Sequence, residues 1–305
     1  MGDTRMTVAI VAPAFVYMPL WAAASEGLFR DEGLDVTIEV AGGTTHGVTE
    51  RLLDGRAQIG IGTPEGVLLD GSGDLVIIAG HANRAALSLV AQPRFRNVGE
   101  LRGARFGVAS LTEGTAYILR EMLAQRGLHD GDYALLEVGT HPVRWEALKA
   151  GTLDAALQLV PFNYMAEDAG FAILAQAYDD VPDYAFTTVN VRRSWAGAQP
   201  AIVEAFLRAL LRGTAWIYDH PAASVRVAAS ASGVPEAYVE RAVREFVDRR
   251  VVARDLSLSR AGLAKVEETL AHAGATRAAD ADRAIDLRAL ERARASLAQL
   301  SRSTS

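Results

Sequence analysis

Cysteine is absent from all 305 residues of this chain. Its absence excludes disulfide bonds, thiolate metal ligands, a cysteine nucleophile and a lipid-modified N-terminal cysteine. Lysine occurs only at Lys149 and Lys265, and both positions lie in predicted, solvent-facing helices. A mechanism that needs a lysine Schiff base therefore has only these two candidates.

Several functional patterns are also missing. No segment reaches the roughly 18 consecutive apolar residues that span a bilayer, so no membrane span is predicted. The HExxH, GxSxG, paired-aspartate and phosphate-loop patterns are absent, so we predict no metal, no nucleotide and no other cofactor. The net charge is −6 and the basic residues form no cluster, which argues against a nucleic-acid partner.

The N-terminus has some features of a secretory signal, because Arg5 precedes an apolar run over residues 6–24. Pro13, Tyr17 and Pro19 interrupt that run, which favours a strand, a loop and a helix instead. As written, the chain carries no export signal. We therefore expect a cytoplasmic location, or a periplasmic one if an upstream signal has been removed.

What is present is the composition of a folded chain, with 50% hydrophobic and 22% charged residues. The length predicts two domains. Predicted strands and helices alternate over the first 192 residues, which is typical of α/β proteins with parallel sheets covered by helices. The predicted strands span residues 8–12, 34–41, 58–61, 74–80, 87–92, 105–109, 133–138, 153–159, 171–175 and 185–192.

The order of these segments predicts a two-lobe α/β fold in which each lobe is a sheet flanked by helices. The chain crosses between the lobes near residues 87–92 and again near 185–192. We therefore assign residues 1–88 and 190–305 to the first lobe and 89–189 to the second. Ligands of open α/β sheets bind beyond the carboxyl ends of the strands, so both lobes are expected to face one cleft that closes by hinge motion.

Residues 18–36 (MPLWAAASEGLFRDEGLDV) cover the predicted first helix and second strand. Shorter stretches follow in order along the chain: residues 41–43 (AGG), 53–60 (LDGRAQIG), 98–107 (VGELRGARFG), 147–155 (ALKAGTLDA) and 285–290 (IDLRAL). In all of these stretches the chain resembles the nitrate/sulfonate/taurine-type substrate-binding proteins of ABC importers, and the stretches occur in family order. The resemblance implies the type II periplasmic-binding-protein fold. That fold also serves enzymes, among them the thiamine-pyrimidine-synthase-like group, aromatic sulfinate desulfinases and some aromatic-acid decarboxylases.

The first candidate contact is the turn that opens the helix predicted over residues 112–126 in the second lobe. Backbone N–H groups at a helix start favour an anion, and the hydroxyls of Ser110, Thr112 and Thr115 add donors. The family places the acidic group of its ligand at this turn, with Gly114 at the position of its small residue. The alternative is an ordinary helix cap. Glu113 brings negative charge to the same turn, and we expect its side chain to point to solvent.

A matching turn in the first lobe contains Gly43, Thr44, Thr45 and His46. Glycine permits close approach of the backbone, and the threonines can cap the helix that follows. His46 has a side chain suited to proton transfer, since the ordinary imidazole pKa is about 6.5. The alternative is an exposed residue in the first helical turn.

Thr63 and Glu65 follow the third predicted strand. A carboxylate facing the cleft favours a ligand with a cationic or amide-like donor, such as an amine or an aminopyrimidine. It can also act as a general acid where burial raises its pKa. The alternative is a carboxylate that interacts with a helix dipole.

The other strand ends supply more candidates. Arg84 can clamp a carboxylate or form a hinge salt bridge, and His141 with Arg144 has the same ambiguity in the second lobe. Tyr17 and Phe162 can stack on a ring. The remaining ligand-binding candidates are His81, Asn83 and Gln158.

Two functions remain open. In the first, a monomeric solute-binding protein captures a small organic anion or heterocycle (a sulfonate, a carboxylate or a pyrimidine-like compound) and delivers it to an ABC permease without bond chemistry. In the second, a cytosolic lyase or decarboxylase acts on an aromatic or heterocyclic acid, with Glu65 or His46 as proton donor. The sequence favours the first.

Overall fold

The computed structural model describes residues 3–275 and 283–303 and contains two five-stranded sheets in that part of the chain. The first sheet has the strand order β2-β1-β3-β10-β4 and the second has the order β7-β6-β8-β5-β9. The strands are β1 (Thr4–Ile10), β2 (Leu34–Val40), β3 (Ile59–Gly62), β4 (Leu75–Gly80), β5 (Leu87–Ala91), β6 (Arg105–Val108), β7 (Ala134–Glu137), β8 (Ala155–Leu159), β9 (Ala172–Gln176) and β10 (Thr188–Arg192).

The helices cover these sheets and form most of the C-terminal third of the described chain. They are α1 (Met18–Ser25), α2 (Leu28–Asp31), α3 (Thr45–Leu53), α4 (Glu65–Leu68), α5 (Thr115–Ala124), α6 (His141–Lys149), α7 (Phe162–Asp168), α8 (Ala177–Asp180), α9 (Arg193–Ala198), α10 (Pro200–Asp219), α11 (Pro221–Ser232), α12 (Glu236–Asp248), α13 (Arg260–His272) and α14 (Arg288–Ser303). No helix in the described ranges is both long and apolar enough to cross a membrane.

Both sheets are mixed, so the expectation of parallel sheets is wrong for the strands that follow the crossings. Strands β1, β2 and β3 are parallel, but β10 runs antiparallel to β3 and β4. In the second sheet, β5 runs antiparallel to β8 and β9. The reason is geometric: a strand that enters a sheet from the other lobe starts at the cleft edge, where the parallel strands end. Leu87, at the start of β5, accordingly pairs with Leu159, at the end of β8.

The two-lobe α/β architecture is thus confirmed, with one lobe built on each sheet. Strand β5 belongs to the second sheet and β10 to the first, so the chain changes lobe just before each of them. The detailed division, with residues 89–189 as the second lobe and the two remaining segments as the first, stays a prediction.

Helix α10 packs on the first lobe, against α1, α2 and α14. Its apolar positions recur at helical spacing, and Phe206 stacks on Phe29 with ring centroids 5.4 Å apart. The closest approach is at Gly213, where an added Cβ would lie 2.5 Å from the carbonyl oxygen of Pro19 and 2.9 Å from Cβ of Ala23. Only a glycine permits this distance between the two helices.

Helices α12 and α13 reach across to the second lobe. Glu245 on α12 accepts hydrogen bonds from the hydroxyls of Tyr164 and Tyr178. Lys265 on α13 forms an ion pair with Glu121 at 2.7 Å. These contacts join the two lobes through helices that follow β10.

The contact at Gly213 leads to a stability prediction. Gly213→Ala forces a methyl group against backbone, and we expect it to lower the free energy of unfolding by about 1–3 kcal/mol. The matched control is Gly197→Ala on α9, where an added Cβ meets nothing within 4 Å. We expect that control to be neutral or to stabilise by up to about 1 kcal/mol, because alanine favours helix. Urea unfolding of both variants measures the difference, and equal midpoints would contradict the packing argument.

Candidate ligand-binding site

A cavity of about 80 Å³ lies between the lobes, at the carboxyl ends of strands from both sheets. A buried water needs roughly 10–15 Å³ of such volume, so the cavity has room for a compact ligand of about five to eight water-sized groups. The residues that line it are Val11, Ala12, Ala14, Val16, Tyr17, Gly43, Thr44, Thr45, Thr63, Ala109, Glu113, Gly114, Thr115, Thr140, His141, Arg144, Leu159, Phe186 and Thr187.

Arg144 on α6 is the charged group with the least exposure in this cavity, at 1%. Its Nη2 donates to Nδ1 of His141 at 2.9 Å, whereas Nε and Nη1 have no hydrogen-bond partner among the described residues. Burial lowers the pKa of the guanidinium to about 9, so the group stays charged near neutral pH. A buried cation without a carboxylate partner is costly, and an anion in the cavity would remove that cost.

His141 supplies a neutral donor next to Arg144. Its Nδ1 accepts from the backbone N–H of Leu159 at 3.1 Å and from Arg144. A ring nitrogen that accepts two hydrogen bonds carries no proton, so the ring proton is on Nε2. Burial, followed by the charge of Arg144, holds the imidazole pKa well below its usual value. His141 therefore lines the cavity as an uncharged imidazole.

Gln158 lies behind this pair and does not line the cavity. With its amide oriented so that both atoms are satisfied, its nitrogen donates to the His141 carbonyl at 3.2 Å. Its oxygen accepts from the backbone N–H of Trp145 at 3.1 Å. Gln158 thus supports the first turn of α6, on which His141 and Arg144 stand.

The first-lobe wall carries hydroxyl groups beside apolar side chains such as Val11 and Val16. The Oγ1 atoms of Thr45 and Thr63 are 2.9 Å apart, and both residues line the cavity. The hydroxyl of Tyr17 donates to the carbonyl of Ile61 at 3.2 Å. The sequence analysis had named all three residues as ligand contacts, and the structure brings them together at the cavity.

His81 lies under this wall rather than in it. It is fully buried, stacks on Tyr17 and has its Nδ1 3.0 Å from Oγ1 of Thr187, which lines the cavity. Burial lowers the pKa of the His81 imidazole to about 3. His81 therefore positions two lining residues as a neutral ring.

The turn before α5 differs from the sequence-based expectation. Helix α5 begins at Thr115 and not at Thr112, because Gly114 has φ +37° and ends the preceding turn. Gly114 and Thr115 line the cavity, whereas Ser110 and Thr112 are at the outer part of the cleft.

The expectation that Glu113 points to solvent is wrong. Its Oε2 accepts from the backbone N–H of Thr45 and its Oε1 from that of His46, both at 2.8 Å. These two N–H groups belong to the first turn of α3 in the other lobe. The carboxylate of the second lobe thus lies at the helix start of the first.

Glu65 and His46 also lie at the outer cleft, outside the inner cavity. Glu65 is 2% exposed, its Oε1 accepts from the hydroxyl of Tyr184 at 3.2 Å, and burial raises its carboxyl pKa. His46 is exposed, with Nε2 3.5 Å from Glu50.

Three of the predicted ligand contacts, Asn83, Arg84 and Phe162, do not line the cavity. Asn83 donates to the carbonyl of Ser257 at 2.7 Å and accepts from the backbone N–H of Ser259 at 3.1 Å, so it fixes the segment before α13. Arg84 is exposed. Phe162 packs on a core cluster around Trp145.

Sequence reasoning missed Thr140, Phe186 and Thr187 as lining residues. Thr140 immediately precedes His141 at the start of α6, and a polar residue at a helix start was the available signal. Phe186 and Thr187 precede β10, and no local pattern distinguishes them from other residues of a crossing.

One group in the described chain has the spacing of metal ligands, namely Glu121, Glu268 and His272. The ammonium of Lys265 lies 2.7 Å from Glu121 and 3.0 Å from Glu268. This cation already pairs with both carboxylates, so the group is better described as an ion-pair cluster between α5 and α13.

A two-lobed α/β protein with a small cavity at facing strand ends is a protein of the periplasmic-binding-protein fold. Residues 14–224 match the model of the family described as NMT1/THI5 like, and the chain belongs to that family. YtlA of Bacillus subtilis (strain 168), provisionally described as a binding protein, is 24% identical over 230 residues, which cover 73% of this chain and 69% of YtlA.

Solved structures share the fold. The alkanesulfonate-binding protein SsuA of Xanthomonas axonopodis pv. citri, bound to MOPS, superposes with a TM-score of 0.77 at 20% identity, over 94% of this chain and 99% of SsuA. DszB in complex with biphenyl-2-sulfinic acid superposes with a TM-score of 0.69 at 16% identity, over 95% and 99% of the two chains.

The buried histidine leads to a prediction on pH dependence. The His81 pKa is about 3 in the folded protein and about 6.5 when unfolded, so the unfolded chain binds the extra proton. We therefore expect stability to fall as the pH drops from about 6.5 towards 3, by up to about 1.4 kcal/mol per pH unit from this group.

His81→Gln removes that titration and should give a shallower pH dependence of the free energy of unfolding. Parallel curves for the wild type and the variant, measured by chemical unfolding at several pH values, would contradict the prediction. His46→Gln is the control, because His46 is exposed.

Proposed function

We propose that this chain is a solute-binding protein of an ABC importer that captures one small organic anion between its lobes. The observation that carries the proposal is the Arg144 guanidinium, which is buried at the cavity with Nε and Nη1 unpartnered. A sulfonate or carboxylate offers oxygens that can accept two parallel hydrogen bonds from a guanidinium. The Nε2–H of His141 would be a third donor.

The surroundings of Arg144 support an anion more than a neutral ligand. The cavity wall around this cation is mostly apolar and includes Val11, Val16, Leu159 and Phe186. Charge-assisted hydrogen bonds are stronger where water is excluded, and closing the lobes excludes it. The relative SsuA is named as an alkanesulfonate-binding protein, which brings sulfonates into the proposal.

The lyase alternative is less well supported by the geometry. Its two proton donors, Glu65 and His46, line the outer cleft and not the cavity that contains Arg144. A general acid has to come within hydrogen-bond reach of the reacting group. The chain also has no cysteine, whereas the DszB complex was obtained with a Cys-to-Ser variant.

The proposal includes a permease as the partner that receives the ligand, and a monomeric binding protein. It also places the protein on the side of the membrane from which the importer takes its ligand.

Replacement of Arg144 tests the anion site. We expect the wild type to bind at least one of ethanesulfonate, propionate and nitrate in calorimetry. Arg144→Met should weaken that binding by about 10–100-fold, which corresponds to ~1.5–3 kcal/mol for a charged hydrogen bond. The same variant should be as stable as the wild type or more stable, by up to about 1–4 kcal/mol, because it removes a buried charge.

Arg56→Met is the matched control, since Arg56 is exposed and pairs with Asp54. We expect it to change neither binding nor stability beyond about 0.5 kcal/mol. Unchanged affinity in Arg144→Met would contradict the proposed anion site.

The fate of the bound compound tests binding against catalysis. After long incubation with the wild type, we expect the ligand found by calorimetry to be recovered chemically unchanged by mass spectrometry. Glu65→Gln should then alter affinity only modestly, because an amide oxygen still accepts from Tyr184. Consumption of the ligand, with a loss of turnover of about 10²–10⁴-fold in Glu65→Gln, would instead support the lyase.

A further inference from the structure

The contact between Glu113 and α3 joins the two lobes directly above the cavity. Glu113 follows β6 in the second sheet, and its carboxylate accepts hydrogen bonds from the first two residues of α3, Thr45 and His46, at 2.8 Å each. A third N–H group at the start of α3 has a partner within the first lobe: Oγ1 of Thr44 accepts from the backbone N–H of Gly47 at 3.1 Å.

Two glycines next to this contact come close to a threonine of the opposite lobe. An added Cβ at Gly114 would lie 3.1 Å from Cγ2 of Thr63, and one at Gly43 would lie 2.8 Å from Cγ2 of Thr140. Each pair joins opposite lobes, and both glycines have positive φ, +37° and +86°. Larger residues at these positions would push the carboxylate away from α3.

Glu113 also separates two spaces. Together with Thr44, Thr45 and Ala109 it lines both the inner cavity and the outer cleft. The outer cleft also contains Glu65, Asp70 and Glu137. A ligand that contacts Arg144 therefore has Glu113 and more carboxylates beyond its far end. The inner cavity has a single cationic side chain, Arg144, among its lining residues.

The start of α3 would otherwise attract an anion, since its free N–H groups and dipole favour negative charge. Glu113 fills that place from within the protein. A second anionic group on the ligand would find the helix start occupied and would face the like charge of Glu113, which lines the same cavity.

We propose that Glu113 determines the charge specificity of the site: it admits ligands with one anionic group and a short uncharged body, and rejects those with a second anionic group. This inference rests on the proposed function, in which Arg144 binds the anion. It adds a residue that acts by exclusion and by closing the cleft.

The test compares ethanesulfonate with ethane-1,2-disulfonate in calorimetry. We expect the wild type to prefer the monosulfonate by about tenfold or more, because the disulfonate places like charge against Glu113. Glu113→Gln keeps the size of the side chain and one acceptor but removes the charge, and should reduce this preference at least about fivefold. A preference due only to size would not change in that variant.

Glu137→Gln is the matched control. Glu137 is another second-lobe carboxylate at the outer cleft, and it accepts from the backbone N–H of Leu111 rather than from α3. We expect this variant to keep the wild-type preference within about twofold, because the charge next to the cavity is unchanged. A fall as large as that in Glu113→Gln would overturn the specific role of Glu113.

A second measurement needs no ligand. The amide protons of Thr45 and His46 should be protected from hydrogen exchange in the wild type, and Glu113→Ala should speed their exchange by about tenfold or more, since both lose their acceptor. Unprotected amides in the wild type would overturn the interlobe contact.

The outcomes separate the two proposals. If the wild type binds no tested anion, the proposed function fails. If it binds the monosulfonate and Glu113→Gln leaves the preference unchanged, the charge specificity fails and the anion site at Arg144 stands.

Discussion

The charge of Arg144 is the constraint on which the site depends. A guanidinium that is 1% exposed, with two nitrogens unpartnered among the described residues, costs free energy that the rest of the fold has to offset. Among the described residues, the hydrogen bond to His141 offsets part of this cost. Since a ligand anion would supply the missing partner, stability and ligand binding are opposed at this residue.

The contacts between the lobes lie on two sides of the cavity and differ in kind. At the cleft, the carboxylate of Glu113 accepts hydrogen bonds from two backbone N–H groups in the first turn of α3. Away from it, Glu245 accepts from Tyr164 and Tyr178, and Lys265 pairs with Glu121. These polar contacts accompany apolar packing, because one core cluster contains buried residues of both lobes, among them Val239 of α12 and Phe106 of β6.

The loops that carry the site were predictable because each follows a predicted strand. Thr45, Thr63 and Tyr17 were named on that ground, and they line the cavity. The start of α5 was not predictable: propensity and capping place it at Thr112, but the positive φ of Gly114 delays it to Thr115. That shift of three residues turns Glu113 from a first-turn helix residue into one that contacts the other lobe.

The sequence by itself determined the alternation of strands and helices, the two crossings and the family, because hydrophobic periodicity and turn residues are local properties. Only the tertiary structure decided which charged groups act at the cleft. Glu113 accepts hydrogen bonds from Thr45 and His46, which are 68 and 67 residues away in the sequence. Whether Arg144 has a carboxylate partner likewise depends on which residues of the described chain lie near it in space. Burial and pairing are sums over contacts between distant segments, so no local pattern encodes them.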